Sequence, residues 1–160
     1  MTKTISKKVP DTITSWVITA FSIDQVTGLG LTKQPSKFNV FQPFFVSTNL
    51  PYSIKRGEVV SIPVIVFNYM STDQKSDITL FNDDNEFEFI DTENSDRKLE
   101  QSKRSKTTTI KANEGSTVSF MIRPTKVGNI TIKVIAETMT AGDGVERQLK
   151  VEPEGITQFL

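Results

Sequence analysis

A chain of 160 residues is long enough for one ordinary domain, or for one domain and part of another. Nineteen basic and nineteen acidic side chains cancel, so no net field favours nucleic acid or an anionic membrane, and no apolar run reaches the length of a membrane span. Cysteine and histidine are both absent, which removes disulfides, thiol nucleophiles, the usual zinc sites, the serine triad and imidazole acid–base chemistry. Little remains from which to build an enzyme, and no cofactor motif is legible. The N-terminus also lacks the apolar core of a signal peptide, which argues against a free-standing secreted protein unless the chain is an internal piece of a longer one.

Residues 1–9 are polar and read as a lead-in. The first apolar run, 16–23, is apolar at both alternating positions: Trp16, Ile18 and Ala20 on one face, Val17, Phe21 and Ile23 on the other. That pattern predicts a strand covered on both sides. A turn follows at 24–30, and FNVFQPFFV at 38–46 is the next strand candidate, with Pro43 expected at an edge or bulge. Two or three strands cannot close a sandwich, so this part reads as half a domain. NLPYSIKRGE at 49–58 is expected to be a connector between two β-sandwich units, because Pro51 disfavours helix at Leu50 and Gly57 supplies a turn.

Beyond the connector the alternation is cleaner. Val60, Ile62, Val64 and Val66 share a face, with Pro63 marking an edge or irregularity. Ile78 with Leu80, and Phe87 with Phe89, predict two short strands. Residues 91–106 form a charged stretch expected to be a loop, and 107–112 is Thr-rich and β-favouring. Val118, Phe120 and Ile122 alternate with polar neighbours, as do Ile130, Ile132, Val134 and Ala136. Gly142, Asp143 and Gly144 predict a turn into a last strand at 145–151. About seven short strands with turns between them make the chain all-β, an antiparallel sandwich of the immunoglobulin or fibronectin kind.

The best-marked segments, in chain order, are PDTITSWVITAFSID at 10–24, TGLGL at 27–31, FQPFFV at 41–46, LPYSIKRGE at 50–58, VFNY at 66–69 and VEPEG at 151–155. Together they resemble the insect thioester-containing proteins of the alpha-2-macroglobulin and complement family. The resemblance implies that residues 1–48 are the second half of a sixth macroglobulin domain, 49–153 a complete seventh, and 154–160 the start of a CUB domain. It further implies a non-catalytic scaffold segment of a secreted protein of haemolymph-like fluid, acting in innate immunity. The thioester itself needs a cysteine that this chain lacks. The implied partners are the rest of the parent chain, namely the upstream half-domain and the CUB and thioester domains, and through the parent microbial surfaces or proteases. An alpha-2-macroglobulin-type protease trap is the alternative within the family, and an independent adhesion module the alternative outside it. The half-domain reading predicts that 49–153 folds alone and 1–48 does not.

Asn129-Ile130-Thr131 is the single Asn-X-Ser/Thr sequon, and strand alternation puts Asn129 on the solvent face as a glycosylation candidate. Asp83, Asp84, Glu86 and Glu88 cluster as calcium ligands do, but their alternation with Phe87 and Phe89 reads better as the charged face of a half-buried strand. Lys98, Lys103, Arg104 and Lys106 read as a solvated charged loop. Trp16, Phe21, Phe44 and Phe45 are expected in a core, and Gly28 and Gly30 as turn glycines rather than a phosphate cradle.

Overall fold

The computed structural model describes residues 4–9, 13–90 and 101–155, and among them every regular element is a β-strand. The chain divides into two compact units, the first ending at Gln42 and the second beginning at Pro43.

The first unit is a ribbon. Strand β1 (Thr14–Ile18) pairs antiparallel with β4 (Ser36–Val40), and β2 (Phe21–Asp24) pairs with β3 (Gly28–Leu31) inside them. The run expected to be one strand is therefore broken at Thr19 and Ala20, where Ala20 exchanges hydrogen bonds with Thr32. Nor is it covered on both sides. Phe21 is 74% exposed and Ile23 79% exposed, because a two-stranded ribbon offers no second layer to pack against. Trp16 is only half-buried and stacks on Phe38 across the β1–β4 pair, at 6.4 Å between ring centroids.

The second unit is a closed two-sheet sandwich. One sheet orders β5 (Phe44–Thr48), β7 (Val60–Asn68), β11 (Glu114–Pro124) and β9 (Phe87–Phe89). The other orders β10 (Lys103–Ile110), β8 (Gln74–Phe81), β12 (Gly128–Glu137), β13 (Gly142–Glu152) and β6 (Ser53–Lys55). Period-2 alternation turns Ile62, Val64, Val66, Phe120 and Ile122 of the first sheet inward against Ile78, Leu80, Ile130, Ile132, Val134 and Leu149 of the second. The seven strands read from the alternation are all present: that of Phe87 and Phe89 has the bounds expected, the Thr-rich one is shifted to end at Ile110, and the others are wider.

Four expectations change. Phe44–Thr48 does not continue the strand of the first unit: Pro43 ends that path, and Phe44 and Val46 are buried in the second core as β5 pairs with Val64–Asn68. The compact division thus falls ahead of the boundary expected after residue 48. The connector contains a strand, β6, which lies parallel to β13 (Ser53 opposite Lys150, Ile54 opposite Val151), so the sandwich is not wholly antiparallel. Buried Ile54 anchors it. Part of the stretch expected as a charged loop is strand β10, which begins at Lys103, while 91–100 lies outside the described residues. The turn before the last strand is at 138–141 rather than 142–144: Thr138 Oγ1 accepts from Ala141 N at 2.9 Å and from Thr140 N at 3.2 Å, and Gly142 already pairs with Glu137.

Pro63 lies just beyond Val64, the last residue of β7 that β5 reaches, and stands opposite Ser119 of β11.

Candidate functional site

The acidic residues after β8 are organised by a buried amide. Asn82 is 3% exposed; its Nδ2 donates to the carbonyls of Phe87 (2.6 Å) and Gln101 (2.9 Å), and its Oδ1 accepts from Glu86 N (2.9 Å). The turn closes through Asn85, whose positive φ of 50° an asparagine tolerates. Three of the carboxylates find separate partners. Asp83 faces Lys133 at 3.4 Å, Glu86 accepts from Thr131 N at 2.6 Å, and Glu88 pairs with its cross-strand neighbour Arg123 at 3.7 Å. Lys126 Nζ donates to the Asp84 carbonyl at 2.7 Å. Asp83, Asp84 and Glu86 line one hollow with Thr131, Lys133 and Glu146, while Glu88 lies apart beside Arg123; no cluster of His, Cys, Asp or Glu among the described residues is placed to hold a metal ion. β9 is the half-buried strand expected, with Phe87 and Phe89 inward and Glu88 outward.

The basic residues of β10 are not a solvated loop. Lys106 Nζ donates to the Ser119 carbonyl of the opposite sheet at 2.8 Å and lies 5.5 Å from the centre of the Phe120 ring. Arg104 lies 5.1 Å from the centre of the Phe89 ring. These cations cover the open side of the sandwich beside β10, where a bare edge would otherwise expose core rings. Lys98 lies outside the described residues.

The remaining sequence candidates separate cleanly. Phe44 is core, whereas Phe45 is half-buried on the outer face of its sheet, stacked on Phe67 at 4.6 Å. Gly28 takes a φ of 75° in a turn, as expected; Gly30 does not, and sits in β3, where a Cβ would come within 2.8 Å of Ser22 Oγ. In that turn Asp24 Oδ1 accepts from Val26 N, Thr27 N and Thr27 Oγ1 at 2.8, 2.9 and 3.1 Å. The backbone bond from Thr27, then that from Val26, holds the Asp24 carboxyl below its ordinary pKa. Asn129 is exposed at the start of β12, on the face of Thr131 and Lys133 and opposite buried Ile130 and Ile132.

The arrangement with most bearing on function lies where the chain leaves the sandwich, beside its second strand. Beside the β6–β13 pairing, Arg56 N donates to the Glu152 carbonyl at 2.9 Å and Gly57 N to the Pro124 carbonyl at 2.9 Å. Arg56 Nε and Nη2 both reach the Glu154 carboxylate at 3.3 Å, and that carboxylate raises the Arg56 pKa. Lys150 and Glu152 pair at 3.0 Å on the same face of β13; the hydrogen bond between them lowers the Glu152 pKa and raises that of Lys150. Lys150 also lies 5.9 Å from the centre of the Tyr52 ring. The segments LPYSIKRGE and VEPEG are thus one structural feature. Both are conspicuous in the sequence, but nothing in it pairs them.

The description "Alpha-2-macroglobulin family" belongs to the family model that matches residues 1–80, a stretch that takes in both LPYSIKRGE and VFNY. The chain belongs to the alpha-2-macroglobulin family. It is 40% identical to thioester-containing protein 1 allele R1 of Anopheles gambiae over 94% of this chain and 11% of that protein. Against complement C3 of Lethenteron camtschaticum it is 36% identical, over 95% of this chain and 9% of the relative. Complement C3 of Eptatretus burgeri is 34% identical over 94% and 9%. The chain therefore spans about a tenth of the length of the curated relatives it matches. Its all-β architecture is consistent with the macroglobulin β-sandwich of that family.

Proposed function

We propose that the chain is a non-catalytic scaffold segment of a larger secreted, thioester-containing protein of innate immunity, of the complement-like opsonin type. Relatives of about ten times its length, named for a thioester and for complement, support that reading. The observation that carries it is the contrast between the two units. The second closes its own core, while the first leaves Val17, Phe21, Ile23, Leu29 and Leu31 exposed. Trp16 Nε1 is shielded from solvent and finds no partner among the described residues. A unit of that kind is half of a sandwich, completed by a neighbouring part of a parent chain. The macroglobulin-domain numbering (part of a sixth, a whole seventh, the start of a CUB domain) belongs to the same proposal.

In this role the β6–β13 junction is mechanical. Because β6 lies beside the last strand, a displacement of the segment that leaves the second unit after Glu152 is carried into the sandwich through the backbone bonds of Arg56 and Gly57. Rearrangement of the parent after cleavage passes through that point to the CUB and thioester domains.

A reducing, denaturing immunoblot of the source's extracellular fluid, using an antibody to residues 91–106, tests the reading. The expected band is several-fold heavier than the 17.9 kDa of this chain. A band only at that mass, or an intracellular signal alone, would withdraw the scaffold role in favour of an independent module.

A further inference from the structure

The sequon at Asn129 sits on a part of the sandwich that is unusually open for a strand residue. Ile130 and Ile132 are fully buried, so the pleat fixes Asn129 and Thr131 on the outer face. Strand β8 pairs with β12 only from Lys133 to Glu137, so Asn129 lies beyond the end of that pairing and has a strand neighbour on one side alone, where Lys150 of β13 stands opposite. The preceding Gly128 has no atom within 4 Å of the place a Cβ would occupy. A shallow concavity lined by Val127, Gly128, Asn129, Lys150, Glu152 and Pro153 opens next to it. Apolar surface flanks this hollow: Val127 is 48% exposed, and the Tyr52 ring, under Lys150, is 89% exposed.

We infer that Asn129 carries an asparagine-linked oligosaccharide, whose first sugars lie over this concavity toward Lys150 and Tyr52. In the transfer, the Asn129 amide nitrogen forms a bond to the anomeric carbon of an oligosaccharide donated by a polyprenyl diphosphate. The bond between that carbon and the diphosphate oxygen breaks, the lipid diphosphate leaves, and one amide proton is lost. The sugar covers apolar surface that the protein leaves open, beside the point where the chain leaves the sandwich at Pro153. The inference rests on the secreted reading, since the donor is met only in the secretory pathway.

The test imposes secretion, so that it is independent of where the natural protein resides. The full chain is expressed in insect cells behind a heterologous leader, and the secreted product is treated with peptide N-glycosidase in heavy-oxygen water. Trypsin then releases residues 127–133, VGNITIK, cut after Lys126 and Lys133. The expected result is labelled aspartate at position 129 in most of this peptide, with a gel shift that Asn129→Gln and Thr131→Ala abolish and Thr131→Ser keeps. Recovery of the peptide with unlabelled asparagine from secreted, β-folded protein overturns the inference, as does a shift that persists in Asn129→Gln. If the site is occupied here and the immunoblot finds only intracellular protein, the secreted reading fails while the site's competence stands.

Discussion

Arg56 and Glu154 face each other beside the β6–β13 pairing, where the chain leaves the second unit, with both Arg56 Nε and Nη2 at 3.3 Å from the carboxylate. Both side chains are about half exposed, so the pair adds little to global stability and is screened by salt. Its effect is local. Arg56→Gln should increase amide exchange at Arg56 and Gly57, whose N–H groups bond to Glu152 and Pro124, and leave Ile132 as protected as before. The charge swap Arg56→Glu with Glu154→Arg should restore protection, and high salt should mimic the single variant. Equal loss of protection at Ile132, or no rescue by the swap, would remove the local-clamp account.

Strand β5 makes a second prediction, about where the folding unit begins. Phe44 and Val46 are 3% and 6% exposed in the second core, and Val46 N donates to Asp143 Oδ2 at 2.8 Å. A chain starting at 43 should therefore fold alone, and one starting at 49 should be less stable by about 3–6 kcal/mol, the transfer value of two large apolar side chains. That is a large share of the stability of an ordinary domain. Urea unfolding of the two chains compares them directly, and coincident midpoints would return the boundary to residue 48.

How much of this could be read from residue types depends on whether one face is buried. Ile62–Val66, Val118–Ile122 and Ile130–Ala136 each alternate against a core, so their strands, faces and the solvent side of Asn129 were legible. Strand β6 was not: it has three residues, of which only Ile54 is buried, and its partner lies at the far end of the chain. Phe44–Thr48 has the composition of a core strand, but composition does not say which core. Thr19–Ala20 breaks a run of apolar residues through hydrogen bonds to Thr32 that no local pattern encodes. Buried Asn68 and Asn82 were invisible as structural residues because what satisfies them is backbone groups, some in the turn that follows and others, at Ile110, Lys111 and Gln101, far along the chain.

Those two asparagines carry the third prediction. Asn68 is fully buried; its Nδ2 donates to the carbonyls of Thr72 (2.9 Å), Lys111 (3.1 Å) and Ile110 (3.2 Å), and its Oδ1 accepts from Met70 N (3.0 Å). Truncation leaves those carbonyls and the Met70 N–H without this partner, a cost of about 1–3 kcal/mol for Asn68→Ala, and Asn82→Ala should cost a similar amount. Asn68→Asp should be at least as damaging, since it removes the donors and adds a buried charge facing carbonyl oxygens. Denaturant melts check the values. A change within a few tenths of a kcal/mol for either alanine variant would show that water replaces the amide.

The last prediction concerns pH and the 24–28 turn of the first unit. The Asp24 carboxylate is held below its ordinary pKa first by the Thr27 N–H and then by that of Val26, so the folded turn binds its proton less readily than the unfolded chain does. A lowered folded-state value means that the stabilisation is fully present above the ordinary aspartate value and is lost as pH falls through the lowered one. The β2–β3 hairpin should therefore loosen only in strong acid, below about pH 4, the ordinary aspartate range, and stay unchanged from there to neutrality. Carbon-detected NMR titration of the Asp24 carboxyl, with the amide shifts of Val26 and Thr27 followed in the same samples, reads both halves of the claim. Asp24→Asn keeps an acceptor oxygen but removes the charge; it should abolish the pH dependence of those amides while leaving the turn formed at neutral pH. An Asp24 midpoint at or above the ordinary value, or amide shifts that titrate unchanged in Asp24→Asn, would show that the turn is held by Gly28 and the backbone without the carboxylate.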